Sequence, residues 1–104
     1  MPVQHIALFR FKNGTASSIV AHALEDLRRL SKVIPGITAF HGGLNTSPEG
    51  LADGLTHGFV MTFKDAAARD AYLPHPEHEK FKAFAIPHLE KVVVFDVDDT
   101  AGEG

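Results

Sequence analysis

The spacing of apolar residues changes along the chain between two repeats, one typical of strands and the other typical of helices. Residues 3–11 are apolar on both alternating faces, which predicts a strand that is covered on both sides. Residues 37–44, 55–64 and 91–97 carry further apolar or β-branched runs and predict three more strands. Between the first two strands, three- and four-residue steps predict an amphipathic helix with an apolar stripe formed by Val20, Ala23, Leu24, Leu27, Leu30 and Ile34.

The ends of this first helix are marked by polar residues before it and by a Pro-Gly pair after it. A side-chain oxygen at the N-cap can accept a hydrogen bond from the first turn, and three residues here have one. The candidate N-caps are Thr15, Ser17 and Ser18. Pro35 and Gly36 are predicted to end the helix.

Prolines interrupt a second helical region. Asp65 is the predicted N-cap of a short helix over residues 66–73, and Pro74 breaks this helix. Pro76 suits the first turn of a new helix, where its missing N–H costs nothing, and this helix is predicted to end before Pro87.

The order strand, helix, strand, strand, broken helix, strand is that of the split βαβ or ferredoxin-like plan. It predicts an α+β fold in which a four-stranded antiparallel sheet carries its helices on one face. A chain of 104 residues fits one domain. We expect that domain to cover residues 1–97 and residues 98–104, which are acidic and glycine-rich, to form a flexible tail.

The predicted sheet leaves one apolar face without helices. Ile6, Leu8, Val60, Val93 and Phe95 belong to this face, and so large a contiguous apolar patch is rare on a monomer. A homodimer packed sheet to sheet would cover it. The alternative is that helices and loops extend further around the sheet than the pattern indicates.

Composition narrows the possible partners. The chain has 10 Lys and Arg against 13 Asp and Glu, a formal charge of −3, and no basic block, which argues against nucleic acid and anionic membranes. The absence of Cys excludes thiolate zinc, iron–sulfur and Cys-nucleophile chemistry. No signal-like start and no apolar run of about 20 residues is present, so we expect a cytoplasmic protein. A small-molecule ligand or another protein remains as a partner.

The densest candidate chemistry lies at the proline break, where Tyr72, His75 and His78 fall within seven residues. His75 is the expected N-cap of the new helix. A helix N-terminus lowers the pKa of a nearby His, and a neutral imidazole is what a general base requires, so His78 is a candidate base. The Tyr72 hydroxyl could hydrogen-bond a carbonyl oxygen that gains negative charge during enolisation. The alternative, favoured by spacing alone, is that Tyr72 packs, His75 caps and His78 bonds a backbone carbonyl.

Two further histidines lie on otherwise apolar strands. His5 and His57 are on the face assigned to the helices, near Phe59 and Met61, so each is either a satisfied core residue or part of a pocket. The antiparallel plan separates these two histidines by up to ~20 Å, so they share a site only if the pocket is elongated.

We predict neither a metal nor another cofactor. His75 and His78 stand three residues apart with Glu77 and Glu79 nearby, but helical ligand pairs more often step by four and no clear third ligand follows. The long loop over residues 45–54 has glycines without the spacing of a nucleotide-binding motif.

Several segments together resemble the stress-responsive A/B barrel (Dabb) family. They are spread over residues 3–97, and the most specific is Tyr72-Leu73-Pro74-His75-Pro76-Glu77-His78 combined with the Gly54-Leu55-Thr56-His57 entry to the third strand. The others are His5-Ile6-Ala7-Leu8-Phe9-Arg10-Phe11-Lys12, Val33-Ile34-Pro35-Gly36-Ile37, Thr62-Phe63, Phe81 and Lys91-Val92-Val93-Val94-Phe95-Asp96. The resemblance implies a ferredoxin-like homodimer that forms a dimeric α/β barrel.

The resemblance implies several possible functions, because function in this family is less uniform than the fold. One plant branch of the family contains a polyketide cyclase that performs an aldol condensation without a metal, and Tyr72 and His78 match its catalytic pair. His5 and His57 match its pocket residues, whereas Leu27 stands where that cyclase has a pocket tyrosine. We therefore expect a small carbonyl ligand and cofactor-independent cyclase-like or lyase-like chemistry. The alternative is a non-catalytic stress-related oligomer or a ligand-binding module.

Overall fold

The computed structural model describes residues 1–98, which form four strands, three α-helices and one short 3₁₀ turn. The predicted tail therefore falls, from residue 99 onward, outside the described residues. In chain order the elements are β1 (Val3–Phe11), α1 (Ser17–Val33), β2 (Ile37–Leu44), β3 (His57–Phe63), α2 (Ala66–Tyr72), α3 (Pro76–Ala85), the 3₁₀ turn (Ile86–His88) and β4 (Leu89–Val97).

The four strands form one antiparallel sheet in the order β2-β3-β1-β4. This arrangement confirms the predicted ferredoxin-like α+β fold, and within one chain the sheet is open rather than closed into a barrel. The first strand lies in the middle, so His5 faces Met61 of β3 on one side and Asp96 of β4 on the other. Neighbours opposite one another in a ladder place their side chains on the same face of the sheet.

Several element ends differ from the prediction for identifiable reasons. The N-cap of α1 is Ala16, which has no capping side chain, because the Thr15 hydroxyl donates to the Lys12 carbonyl instead. Strand β3 begins at His57 rather than at Leu55, because the Leu55 N–H closes a turn onto the Ala52 carbonyl.

The end of α3 follows from a missing donor. Pro87 has no N–H to continue the hydrogen-bond ladder of the helix, so the chain tightens into the 3₁₀ turn after Ala85. Strand β4 then starts at Leu89, two residues before its predicted start.

The core lies between the helices and one face of the sheet. Its largest fully buried side chains are Leu27 and Leu30 of α1, Met61 and Phe63 of β3, and Tyr72 of α2. Where α1 turns into β2, Gly36 has a φ of 90° and comes so close to α2 that an added Cβ would lie 2.6 Å from the Cβ of Ala68. This corner therefore needs glycine for both its conformation and its space.

The opposite face of the sheet carries the predicted apolar patch. Ile6 lies opposite both Val60 and Phe95, and Leu8 lies opposite Val93, so all five side chains share one face. Phe95 is 64% exposed within the single chain. The sequence-based assignment of this face is confirmed.

Strand β4 is exposed on both of its faces. On the helix side, Val92 and Val94 are each more than half exposed, because the helices cover the middle of the sheet and leave this edge open. Of the helices within residues 1–98, none combines the length and the apolar character that crossing a membrane requires.

Candidate functional site

A cavity of about 300 Å³ lies between the sheet and the helices α2 and α3, beside the open edge at β4. Its walls are mainly apolar, and its polar groups come from a few side chains. The lining residues are His5, Ala7, Phe9, Phe11, Ala23, Phe59, Tyr72, Leu73, His78, Phe81, Lys82, Ala85, Ile86, Leu89, Val92 and Val94. The partly exposed lining residues Leu73, Ile86, Val92 and Val94 mark its mouth. An apolar enclosure with a few convergent polar groups is the usual form of a small-molecule site.

The proline break between α2 and α3 brings the candidate residues to this cavity. Tyr72 is the last residue of α2, and His75 is the N-cap of α3, where its Nδ1 accepts the Glu77 N–H at 3.1 Å. Pro76 follows at the first helical position, which needs no N–H. His78 then falls in the first turn of α3 and lines the cavity.

The backbone fixes the tautomer of His78. Its Nδ1 lies 2.9 Å from the carbonyl oxygen of Leu73, and because a carbonyl only accepts, Nδ1 must carry the proton. In the neutral ring, Nε2 then holds a free electron pair. The pKa of His78 is lowered from its usual value of 6.5, chiefly by burial, which outweighs the opposite effect of the Leu73 bond. His78 is therefore a neutral imidazole near pH 7, with Nε2 as its proton acceptor.

Tyr72 is almost fully buried, and its ring stacks on that of His78 with 4.1 Å between the centroids. Burial raises the pKa of Tyr72 well above its usual value of 10, so the phenol keeps its proton. None of residues 1–98 hydrogen-bonds the hydroxyl, and the same residues contain no fully buried side-chain oxygen or nitrogen without a partner. The Tyr72 hydroxyl must therefore reach the open space of the cavity.

His5 lies on the sheet wall of the same cavity, and its ring packs edge-on against Tyr72 with 5.8 Å between the centroids. Its Nδ1 lies 2.6 Å from one carboxylate oxygen of Asp96, its neighbour in the ladder. Arg69 of α2 donates to the other oxygen of Asp96 at 2.7 Å. This bond is the main reason that the pKa of Arg69 is raised above its usual value.

Most of the other predicted site residues do not line the cavity. Phe59 lines the cavity, whereas Leu27 and Met61 are fully buried in the core and do not line it. His57 also lies outside it. The register puts His57 four residues along β3 from Met61, the partner of His5, a separation of about 14 Å. Its ring stacks on Phe9, and its Nδ1 bonds the Thr56 hydroxyl at 2.8 Å.

Asp96 is the polar group at this site to which the sequence analysis gave no role. Asp96 follows an unbroken apolar run over residues 92–95, and a carboxylate next to such a run needs a partner. Register links it to His5, which is 91 residues away in the chain. The cap at His75 and the bond from His78 to a backbone carbonyl were both predicted in the alternative that spacing favours, although no side-chain pattern indicates that the carbonyl is that of Leu73.

The described part of the chain places no three His, Cys, Asp or Glu side chains close enough together to hold a metal ion. The polar groups that line the cavity are instead one neutral imidazole acceptor, one phenol donor, one imidazole paired with a carboxylate, and the Lys82 ammonium, which bonds Glu79 at 2.7 Å. Such a set can hold a carbonyl oxygen and take a proton from its neighbouring carbon.

The fold and cavity define a ferredoxin-like α+β domain with a pocket lined by His and Tyr. The chain belongs to the Stress responsive A/B Barrel Domain (Dabb) family, whose model matches residues 3–99. Among curated relatives, the stress-response A/B barrel domain-containing protein HS1 of Arabidopsis thaliana is 34% identical over 100 residues, covering 96% of this chain and 92% of that protein. Olivetolic acid cyclase of Cannabis sativa is 24% identical over 96 residues, covering 92% of this chain and 95% of the cyclase.

Solved structures agree with this assignment. The hydroxynitrile lyase of Passiflora edulis matches with a TM-score of 0.86 and 25% identity, covering 94% of each chain. A dimeric ferredoxin-like protein of unknown function from Jannaschia sp. CCS1 matches with a TM-score of 0.84 and 26% identity, covering 94% of this chain and 99% of that one. Relatives of this chain thus include two enzymes and a dimer.

Proposed function

We propose that this protein binds a small apolar carbonyl compound in the cavity beside β4 and catalyses its enolisation, leading to aldol-type addition or cleavage. The proposal rests on one observation above all. The His78 Nε2 has a free electron pair, the Tyr72 hydroxyl has no partner among residues 1–98, and both rings line the same apolar cavity. The similarity to a cyclase supports this reaction class, because the cyclase branch of the family performs an aldol condensation.

The chemistry can be written for these two side chains. The C–H bond next to the carbonyl breaks, its proton moves to Nε2 of His78, and the electron pair forms the enolate, whose oxygen accepts a hydrogen bond from Tyr72. The enolate carbon then attacks a second carbonyl, a C–C bond forms, and the displaced electron pair moves to that oxygen. This oxygen takes the proton back from the His78 imidazolium, so the catalyst is regenerated.

The cavity walls favour a ligand with a hydrocarbon part. Phe9, Phe59 and Phe81 lie on the lining, and the low local dielectric strengthens the hydrogen bond from Tyr72 to a developing negative charge. We further propose that residues 1–97 form the functional domain and assemble as a homodimer through the apolar face that carries Phe95. The dimeric Jannaschia relative supports this assembly.

The test measures how fast the protons next to the carbonyl of 4-phenylbutan-2-one exchange with D₂O. The exchange is monitored as the loss of the NMR signals of these protons. This ketone has an apolar tail and one carbonyl. We expect the protein to accelerate the exchange, and we expect Tyr72→Phe and His78→Ala each to remove most of the acceleration. His22→Ala is the matched control, since this imidazole is exposed on α1 and lies outside the cavity.

The outcomes separate the candidate functions. If Tyr72→Phe and His78→Ala exchange the ketone as fast as the unchanged protein and the His22→Ala control do, the enolisation proposal is refuted. Saturable binding of the ketone without exchange would identify a ligand-binding module. The absence of both would leave the stress-related oligomer, a role supported by the exposed apolar face of the sheet.

A further inference from the structure

Lys82 brings a positive charge to a cavity whose walls are mainly apolar. Of the Lys, Arg, Asp and Glu side chains within residues 1–98, it is the one that lines the cavity. Helix α3 faces the cavity with a stripe at three- and four-residue steps, formed by His78, Phe81, Lys82 and Ala85. A helix that packed only against a core would carry an apolar residue at position 82, so the charge is better explained by what enters the cavity.

The stem and the ammonium group of Lys82 lie in different surroundings. The side chain is 38% exposed, and a lysine at an apolar surface buries its methylene groups while its charge stays near water. The Nζ atom bonds Glu79 at 2.7 Å, and Glu79 is exposed and does not line the cavity. The methylene stem therefore lies on the cavity wall, and the ammonium lies at the rim.

This charge is close to the imidazole of the proposed reaction. Lys82 follows His78 by one helical turn, so their Cβ atoms are about 5–6 Å apart. The pKa of His78 is lowered chiefly by burial, and the charge of Lys82 lowers it further. One small ligand can therefore contact both side chains.

The pairing with Glu79 leaves Lys82 available to a ligand. The two residues are three positions apart on the surface of α3, and water solvates both of them, so the pair contributes little stability. An ammonium has three N–H donors, and the bond to Glu79 uses one of them. An anion at the rim can thus bind Nζ beside Glu79 or in its place.

We propose that Lys82 binds a carboxylate of the ligand, so that the cavity takes keto carboxylates with a hydrocarbon tail. The inference rests on the proposed function, because the same cavity holds the same carbonyl group. A single ammonium matches the single charge of a carboxylate, whereas a phosphate monoester carries about −1.5 to −2 near pH 7. A carboxylate at the rim also keeps part of its hydration, so the charge determines that the hydrocarbon tail enters the cavity first.

The first measurement compares two probes that differ in charge. 4-Oxo-6-phenylhexanoate extends the methyl end of the test ketone by a methylene group and a carboxylate, and 4-oxo-6-phenylhexanamide has a neutral amide in place of the carboxylate. We expect calorimetry at low salt to show that the unchanged protein binds the carboxylate about tenfold more tightly, as for a hydrogen bond to a charged group. Equal affinities for the two probes, or no binding of the carboxylate, would overturn the proposal without the use of any variant.

The second measurement assigns this preference to Lys82. Lys82→Met keeps an unbranched apolar stem and removes the charge, so we expect the carboxylate to bind about tenfold more weakly and the amide to bind as before. Lys82→Arg should retain the preference. The matched control is Lys80→Met, because Lys80 is exposed on the same helix and does not line the cavity.

Three results of this second measurement would overturn the proposal. The first is unchanged carboxylate affinity in Lys82→Met. The second is an equal loss of affinity for both probes in that variant, which would indicate that the stem acts by packing. The third is an equal loss of carboxylate affinity in Lys80→Met, which would indicate that only the overall charge of the protein matters.

These results are separable from those for the proposed reaction. Ketone exchange tests His78 and Tyr72 with a compound that has no carboxylate, whereas the two probes test Lys82 by binding alone. A protein that prefers the carboxylate through Lys82 and does not exchange the ketone would retain this inference and lose the proposed reaction. Exchange that depends on His78 and Tyr72, without a preference for the carboxylate, would have the opposite meaning.

Discussion

Tyr72 and His78 lie ring against ring, with 4.1 Å between their centroids and 27° between their planes. The stack crosses the break between α2 and α3, so each ring limits the rotation of the other. The Leu73 carbonyl also accepts a hydrogen bond from Nδ1 of His78. The imidazole is therefore fixed by Tyr72 against its face and by this hydrogen bond at its edge. The donor and acceptor of the proposed reaction are thus oriented before a ligand enters, which reduces the entropic cost of catalysis.

Removing the Tyr72 hydroxyl should separate activity from stability. In Tyr72→Phe the ring and its stacking remain, and the lost hydroxyl has no partner within residues 1–98. We expect the ketone exchange rate to fall about 10²-fold to 10³-fold, as for the loss of one oxyanion donor. The free energy of unfolding in urea should change by less than about 1 kcal/mol. A large loss of stability together with activity would indicate a structural role.

The matched variant at the partner ring is His78→Phe, which retains an aromatic ring on Tyr72 and removes both nitrogens. We expect exchange to be abolished while the protein stays folded. Retained exchange in His78→Phe would show that His78 is not the base.

Acid should destabilise the fold through two histidines. The pKa values of His78 and His57 are both lowered from 6.5, in each case mainly by burial. Between the lowered pKa and about 6.5, the unfolded chain binds more protons than the folded chain, so this stability is complete above that window and is lost as the pH falls through it. His78→Gln should reduce the difference between the free energies of unfolding measured at about pH 7.5 and about pH 5.5. An unchanged difference would contradict the burial effect at His78.

The corner at Gly36 should tolerate no side chain. In Gly36→Ala, an alanine would have to adopt a φ of 90°, and its Cβ would lie 2.6 Å from the Cβ of Ala68. We therefore expect the free energy of unfolding to fall by about 2–4 kcal/mol. Gly14→Ala is the matched control, because its φ is 85° but no atom lies within 4 Å of the added Cβ. For Gly14→Ala, urea denaturation should show that the free energy of unfolding falls by about 1–2 kcal/mol, because only the unfavourable φ contributes. Equal losses at both positions would mean that the close contact with α2 adds nothing.

Assembly should depend on the sheet face without helices. Phe95→Lys puts a charge on that face. We expect sedimentation to show a monomer for this variant and a dimer for the unchanged protein. Val92→Lys is the control, since Val92 is similarly exposed on the same strand but points to the helix side. If both variants remain dimeric, the interface is not the face that carries Phe95.

Local pattern was enough to predict most of the fold. The bounds of β1 and β2 agree with their apolar runs, and the break after Tyr72 follows from Pro74 and Pro76. The prediction errors are at the ends of the elements, where the hydrogen-bond partner of a backbone N–H determines whether a strand or helix continues. The Leu55 N–H, for example, closes a turn rather than extending β3.

The site was less predictable, because its geometry depends on register and on backbone groups. The antiparallel plan correctly predicted that His5 and His57 lie apart on the same face, but only the register shows that His5, and not His57, lines the cavity. The partnership of His5 with Asp96 depends on the pairing of the first and last strands. No local pattern specifies that pairing.

The two imidazoles at the cavity differ in what holds them, and this difference has an evolutionary consequence. Every residue type supplies a carbonyl, so the orientation of His78 survives whatever side chain occupies position 73. His5 depends on two replaceable side chains, Asp96 and Arg69. A single substitution at position 69 or 96 would therefore change what holds His5 and leave the orientation of His78 as it is, so the two cavity imidazoles can vary independently in evolution.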